Sequence, residues 1–138
     1  MYMYEEKAQK ITKQYLENLG YDVEEFPHGK LGVDILAKDK EGKNTYVEVK
    51  GTKTKNPKKK DKNGNLIEEF DQNQNKHHYS YGLFQLMTRL KSDNDIGLLF
   101  LPHHTDFEKL LKNTEYLVKK LGIGIYLIYS ENNIKRVT

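Results

Sequence analysis

The 138-residue sequence predicts one α/β domain over residues 1–138, with a mixed sheet of four to five strands flanked by helices. Three observations predict this class. Apolar residues recur at helical spacing in three segments, two apolar runs have the length of buried strands, and three β-rich runs follow the first helical segment. In chain order, the predicted elements are helix, three strands, helix, strand, helix and strand.

The first helix is predicted over residues 5–19, because its apolar stripe keeps three- and four-residue spacing and ends at Gly20. Residues 21–26, 31–38 and 45–50 are then predicted as the three strands of a meander. Turn-forming residues separate these strands at positions 27–29 and 39–43.

A Lys-rich segment follows the third strand, with six lysines in ten residues. We predict a flexible loop over residues 51–75, in which Asn63-Gly64 favours a hairpin turn. Helical spacing from Tyr79 to Leu90 then predicts a second helix that ends near Ser92.

The second half of the chain is predicted to contain two strands with a helix between them. Residues 96–101 and 123–129 are apolar runs, which are typical of strands buried on both faces of a sheet. Between them, apolar residues from Phe107 to Leu121 keep helical spacing, and Gly122 is expected to end this third helix.

The composition of the chain limits which metal sites and which binding partners we expect. The chain has no cysteine, so any metal would need oxygen or imidazole ligands, which favours hard cations such as Mg²⁺. The net charge of +3 and the pI near 8.8 allow binding to a polyanion without requiring it. The longest apolar stretch, residues 96–102, is too short to cross a bilayer, so we expect a cytoplasmic protein without a membrane partner.

A hairpin centred on Glu41 would place two carboxylates opposite each other. Paired positions then sum to 82, so Asp34 faces Glu48 across the two strands. Side-chain alternation puts Lys50 on the same face as these acids. The other face is predicted to be apolar core, lined by Val33, Ile35, Ala37, Val47 and Val49.

Facing carboxylates destabilise a sheet unless a positive charge neutralises them. A divalent cation would do so, since Mg²⁺ takes one or two carboxylates and keeps waters for phosphate oxygens. The alternative is a solvated face with a cross-strand salt bridge, which is the usual arrangement in an antiparallel pair. Alternation alone favours this alternative, so the flanking sequence has to decide between them.

The flanking sequence resembles the core of the PD-(D/E)XK nucleases. Gly32-Val33-Asp34-Ile35-Leu36-Ala37 and Tyr46-Val47-Glu48-Val49-Lys50-Gly51 are similar to its two motifs in order and spacing. The similarity is greatest to archaeal Holliday-junction resolvases and Mrr-like restriction endonucleases, and it covers residues 5–91. The first motif departs from the pattern, since Val33 stands in place of proline.

The resemblance implies a restriction-endonuclease-like fold and a role for each motif residue. Asp34 and Glu48 would bind Mg²⁺, for which Mn²⁺ would substitute, and the backbone carbonyl of Val49 would complete the metal shell. Lys50 would be the catalytic lysine, which orients or deprotonates the attacking water or offsets developing charge. Glu5 would be the additional acid that several members place at the start of the first helix, although an ordinary first-turn charge is an equal alternative.

Two further groups complete the predicted site: Gln85 would assist catalysis, and Arg89 and the loop lysines would bind DNA. Gln85 and Arg89 resemble a Gln-x-x-x-Lys/Arg feature that some relatives place beside the metal, although a solvated polar stripe has the same spacing. Six lysines of the loop would neutralise DNA phosphates, with a solubilising loop as the alternative: Lys53, Lys55, Lys58, Lys59, Lys60 and Lys62. Tyr79 and Tyr81 would either stack on unpaired bases or belong to the core.

These features together predict a Mg²⁺-dependent endonuclease that hydrolyses DNA phosphodiester bonds, with structured DNA such as a junction as its substrate class. A relative of the junction resolvases would act as a homodimer. The first alternative is a catalytically inactive nuclease-fold module that binds nucleic acid or a partner protein. A purely structural α/β domain is the second.

Overall fold

The computed structural model describes residues 1–24 and 34–138 of the chain. These residues form three helices and six strands. In chain order, the elements are α1 (Glu5–Asn18), β1 (Asp22–Glu24), β2 (Ile35–Lys38), β3 (Asn44–Val49), α2 (Gln72–Arg89), β4 (Ile96–Pro102), α3 (Thr105–Lys120), β5 (Gly124–Ser130) and β6 (Asn133–Arg136).

All six strands belong to one mixed sheet in the order β1-β2-β3-β4-β5-β6. The first three strands are antiparallel neighbours, β3, β4 and β5 run parallel, and β6 returns antiparallel to β5. The parallel strands are joined through α2 and α3, as parallel neighbours require a crossover. The predicted class, a mixed α/β sheet flanked by helices, is confirmed.

The sheet separates two apolar cores. On one face, α1 packs through Ala8, Ile11 and Leu16 against strand residues that include Val47 and Val49. On the other face, α2 and α3 cover the alternate positions of β4 and β5, with the following buried residues in contact: Tyr79, Leu86, Leu99, Leu101, Phe107, Val118, Ile123, Ile125 and Leu127. The cores explain why residues 96–101 and 123–129 are apolar at every position, as predicted for strands buried on both faces.

Strand β6 was not predicted, so the sheet exceeds the expected four to five strands by one. Of its four residues only Ile134 is apolar, and the other three are exposed. An edge strand of this kind carries little of the hydrophobic alternation by which strands are recognised. It is held by its hairpin with β5.

The Lys-rich segment contains backbone pairing, and its residues 52–70 form what we call the hairpin arm. Lys53 pairs with Glu69 and Lys60 pairs with Leu66 as antiparallel bridges, and the turn between them contains Gly64 with a positive φ of 82°. The hairpin turn expected at Asn63-Gly64 is therefore present. Flexibility of the arm stays a prediction.

Helix α2 begins at Gln72, so the predicted loop over residues 51–75 is too long at its C-terminal end. Asp71 is the N-cap of this helix. Its side chain accepts a hydrogen bond from the Gln74 backbone N–H, and the Gln74 side chain accepts one from the Asp71 N–H. This capping box marks the start of α2. The predicted start was too late because residues 72–75 are polar and show no apolar periodicity.

The predicted strands over residues 21–26 and 31–38 are observed at their described ends as β1 and β2. The predicted turn at 27–29, the departure from the motif at Val33 and the start of the first motif at Gly32 lie outside the described residues. Within residues 1–24 and 34–138, no helix combines the length and the apolar character needed to span a membrane.

Candidate active site

The site is built where β2 and β3 meet. Their observed register pairs Ile35 with Val47 and Leu36 with Tyr46, which is the register predicted for a hairpin centred on Glu41. Asp34 directly precedes β2 and is hydrogen bonded through its side chain to Glu48. The two acids therefore meet, as the sequence predicts.

Asp34 also contacts the backbone of β3 directly. Its Oδ2 accepts a hydrogen bond of 2.7 Å from the backbone N–H of Val49. Val49 lies two positions beyond Val47, the partner of Ile35 in the β2–β3 register. This bond holds the Asp34 carboxylate beside the end of β3.

The charged face of the hairpin is buried. Glu48 is 3% exposed and Lys50 is 9% exposed. The Lys50 Nζ lies 3.7 Å from Oε2 of Glu48, whereas Oε1 of Glu48 is buried without a hydrogen-bond partner among the described residues. A solvated polar face, the alternative that alternation alone favoured, is therefore wrong.

Burial and two neighbouring acids act together on Glu48. Desolvation by burial is the main cause that raises its pKa to about 8, followed by the charge of Asp34 and the hydrogen bond to it. Lys50 lowers this pKa and Glu5 raises it further. With this pKa, Glu48 is mostly protonated at neutral pH when no cation is bound.

Lys50 is covered by α2. An added Cβ at Gly82 would lie 3.3 Å from Cε of Lys50 and 3.0 Å from Leu99, so the helix comes close only because this position has no side chain. The Nζ of Lys50 lies 5.6 Å from the centre of the Tyr81 ring. Burial, and then the charge of Lys50, lower the pKa of the nearby His78.

Glu5 joins the site because the chain start packs against the end of β3. The backbone N–H of Met3 donates to the Thr52 hydroxyl, and the Thr52 N–H donates to the Met3 carbonyl, each at 2.8 Å. A Cβ at Gly51 would lie 2.6 Å from the Glu5 nitrogen and 2.8 Å from the Met3 oxygen. Glu5 is half-buried and close enough to Glu48 to raise its pKa.

The close contact at Gly51 leads to a prediction. Gly51→Ala is expected to lower the free energy of unfolding by about 1–3 kcal/mol, since the added methyl group overlaps backbone that has no room to move. Thermal unfolding followed by circular dichroism measures this as a decrease in Tm. An unchanged Tm would show that residues 1–5 do not pack against Gly51.

The hairpin arm is attached to both helices beside the site. The Tyr4 hydroxyl donates to the carboxylate of Glu68, and the Nζ atoms of Lys53 and Lys55 lie 4.2 and 5.1 Å from the Tyr4 ring centre. Lys59 pairs with Asp71, the N-cap of α2. The side chains of Lys58, Lys60 and Lys62 are exposed. The lysines predicted to contact DNA are thus held next to the active strand, although Lys53, Lys55 and Lys59 have protein partners.

Gln85 and Arg89 follow Tyr81 at four-residue spacing on α2 and are both half-buried. Neither side chain is hydrogen bonded to Asp34 or Glu48 within residues 1–24 and 34–138. The Nε of Arg89 is buried without an acceptor in the same part of the chain. The structure therefore brings together Asp34, Glu48, Lys50 and Glu5, but it does not join Gln85 or Arg89 to them.

Two clefts open beside the carboxylates. Asp34 lines a cleft of about 260 Å³ whose other walls come from α1 and β1. Glu5 lines a second cleft of about 200 Å³ between α1, the hairpin arm and α2, where His78 and Phe70 stack with ring centres 4.6 Å apart. Asp34 and Glu5 are therefore reached from clefts on the two sides of the α1 N-terminus, whereas Glu48 is buried.

The carboxylates alone do not form a full set of metal ligands. Across the described ranges 1–24 and 34–138, the candidate site included, no three or more His, Asp or Glu side chains are grouped so as to hold a metal ion. His103 and His104 make other contacts: His103 is hydrogen bonded to Glu108 at 2.6 Å, and His104 accepts from the Asp106 N–H at the start of α3. A metal at this site would need carbonyl, water or substrate oxygens in addition to carboxylates.

Several residues that shape the site were not identified from the sequence. Gly51 allows the close approach of the α1 N-terminus, Gly82 allows that of Lys50, and Thr52 binds the start of the chain. The glycine directly after Lys50 and the glycine within α2 were visible signals, because glycine inside a helix or beside a strand often marks a close approach. Which atoms approach becomes visible only in three dimensions.

Comparison with known proteins gives one family. The family described as Protein NO VEIN, C-terminal, matches residues 4–86, which contain α1, the first three strands, the hairpin arm and most of α2. All of the residues that meet in the site lie within this match. Neither the curated proteins nor the solved structures contain a match to the chain.

Proposed function

The chain belongs to the Protein NO VEIN C-terminal family, a nuclease-like domain of the PD-(D/E)XK kind, and from this we propose that it is a metal-dependent DNA endonuclease. The observation that carries the proposal is the Asp34–Glu48 pair, in which Glu48 is buried and Lys50 lies 3.7 Å from it. A buried carboxyl beside a second acid is costly to keep, so the arrangement favours a chemical role over a structural one.

The donor atoms fit a hard divalent cation. Among the described residues, Glu48 has a buried oxygen without a hydrogen-bond partner, and burial beside Asp34 raises its pKa to about 8 in spite of the nearby Lys50. Asp34 and Glu48 would hold Mg²⁺ or Mn²⁺, with the Val49 carbonyl as a third ligand. Such a cation, when bound, stabilises the negative charge that develops on a phosphodiester under attack by water.

The protein's own groups supply the remaining functions. Lys50 is fixed by Glu48, Tyr81 and the close approach of Gly82, so its ammonium group can hold the attacking water or offset charge on the phosphate without reorganising. Glu5 adds a carboxylate on the open side of the pair, where it would bind water. Gln85, one turn beyond Tyr81, would contact the substrate.

The hairpin arm would hold the DNA backbone. Its exposed lysines neutralise phosphates without reading bases, and each neutralised phosphate releases counterions. Lys58→Gln/Lys60→Gln is expected to reduce the slope of log K against log salt concentration by up to about 2 for duplex DNA. The matched control is Lys109→Gln/Lys112→Gln on α3, which should leave the slope unchanged. Equal slopes in both variants, measured by fluorescence anisotropy, would exclude the arm from DNA binding.

Nicking of supercoiled plasmid DNA tests the function. We expect nicked and then linear products in the presence of Mg²⁺ or Mn²⁺ and none in EDTA. If no plasmid, duplex, flap or junction is cut with either cation, the proposal fails. DNA binding without cleavage would then favour the alternative function, an inactive nuclease-fold module that binds nucleic acid or a partner protein.

A relationship to particular groups of PD-(D/E)XK nucleases is also a proposal. The motifs are similar to those of archaeal junction resolvases and Mrr-like endonucleases, so structured DNA is the substrate class we test first. A homodimer would place two such sites on one junction, and each would cut one strand.

A further inference from the structure

The outer face of α2 carries a row of exposed rings. His77, Tyr81 and Phe84 follow each other at helical spacing, with ring centres 6.1 and 6.4 Å apart and ring planes inclined by 15° and 31°. Tyr81 is 48% exposed and Phe84 is 57% exposed. In contrast, Tyr79 on the opposite face is 1% exposed and belongs to the core. We call His77, Tyr81 and Phe84 the aromatic row.

The middle ring of the aromatic row, that of Tyr81, lies beside the candidate catalytic lysine. The Tyr81 ring centre is 5.6 Å from the Nζ of Lys50, so a ligand on the ring lies next to the group proposed to act on the phosphate. The hairpin arm joins the same helix through the Lys59–Asp71 ion pair and the stacking of Phe70 on His78. Helix α2 therefore carries flat aromatic faces and contacts both the candidate active site and the cationic hairpin arm.

This combination fits an anionic polymer that carries flat aromatic groups. Bases in a duplex cover each other's faces, whereas unpaired bases can stack on protein rings. A second copy of the chain would bring its own lysines against the hairpin arm, and this repulsion opposes a contact between two copies at the aromatic row.

We propose that the aromatic row binds the unpaired bases of a DNA strand whose phosphate lies at Lys50. The substrate class is then DNA with single-stranded nucleotides at the cut; this rests on the proposed function.

The test compares two strands of equal charge. Fluorescence anisotropy in EDTA measures binding of a labelled DNA strand of about twelve nucleotides and of an abasic strand with the same number of phosphates. We expect the wild-type protein to bind the base-containing strand roughly 10- to 100-fold more tightly. Tyr81→Ala/Phe84→Ala should remove most of this ratio, while its affinity for the abasic strand stays unchanged. Tyr116→Ala, which removes a 73% exposed ring on α3, is the matched control and should keep the ratio.

Three outcomes would overturn the inference. The first is equal affinity of the wild type for both strands, and the second is a ratio that survives in Tyr81→Ala/Phe84→Ala. The third is a wild-type dimer that the double variant converts to a monomer in analytical ultracentrifugation, because the row would then be a contact between copies. Cleavage is not measured in EDTA, so a failure here is separate from a failure of the nicking experiment.

Discussion

Lys50→Ala is expected to lower the rate of metal-dependent DNA cleavage by roughly 100-fold or more, which is the usual effect of losing a positioned acid–base or charge-stabilising group. Lys50 is buried and lies 3.7 Å from Glu48, so its ammonium group has a defined position beside the acid pair. Cleavage of a labelled DNA substrate under single-turnover conditions measures the effect.

Two further variants separate chemistry from folding. Lys50→Met keeps most of the buried volume and should lose as much activity as Lys50→Ala. Lys112→Ala removes an exposed lysine on α3 and should cleave at the wild-type rate. Cleavage by Lys50→Met within a few-fold of wild type would remove Lys50 from the mechanism.

Glu48→Gln is expected to stabilise the metal-free protein at high pH. The pKa of Glu48 is raised from 4.5 to about 8, so the folded protein binds an extra proton between these pH values. Its free energy of unfolding therefore falls as pH rises through this window and is constant outside it. Glutamine resembles the protonated acid and has no charge to bury, so the variant avoids this loss.

The size of the effect follows from the shift. We expect the free energy of unfolding of Glu48→Gln to exceed that of the wild type by up to about 5 kcal/mol above pH 8 and by little below pH 4.5, with both proteins in EDTA. Glu108→Gln on α3, whose carboxylate is exposed and bonded to His103, is the control. Denaturant titrations at several pH values measure the difference. A stability difference that does not depend on pH would show that Glu48 is charged in the folded protein.

The sequence was sufficient for the hairpin and its acids because local rules determine them. Turn residues 39–43 and strict alternation in β2 and β3 define one register, and that register brings Asp34 to Glu48. The same rules predict the core side of Ile35, Val47 and Val49, which the structure shows as buried. The buried strands β4 and β5 were predictable for a similar reason, since few other elements are apolar at every position.

The features of the site that the sequence did not predict depend on tertiary packing. Glu48 is polar on a strand that alternates, so its sequence context is equally suited to solvent, and its burial depends on how the rest of the chain packs around it. Placement of Glu5 depends on the pairing of Met3 with Thr52, which are far apart in the chain. The edge strand β6 and the polar start of α2 lack apolar periodicity altogether.

Isothermal titration of Mn²⁺ into the wild type and into Asp34→Asn/Glu48→Gln, with a short DNA present to supply phosphate oxygens, tests most directly whether this acid pair holds a cation. The double variant keeps the shape and the hydrogen bonds of the pair, and circular dichroism verifies its fold. We predict one binding site in the wild type and none in the variant. Equal binding by the two proteins, or none by either, would contradict the account and leave the acids as a buried structural pair.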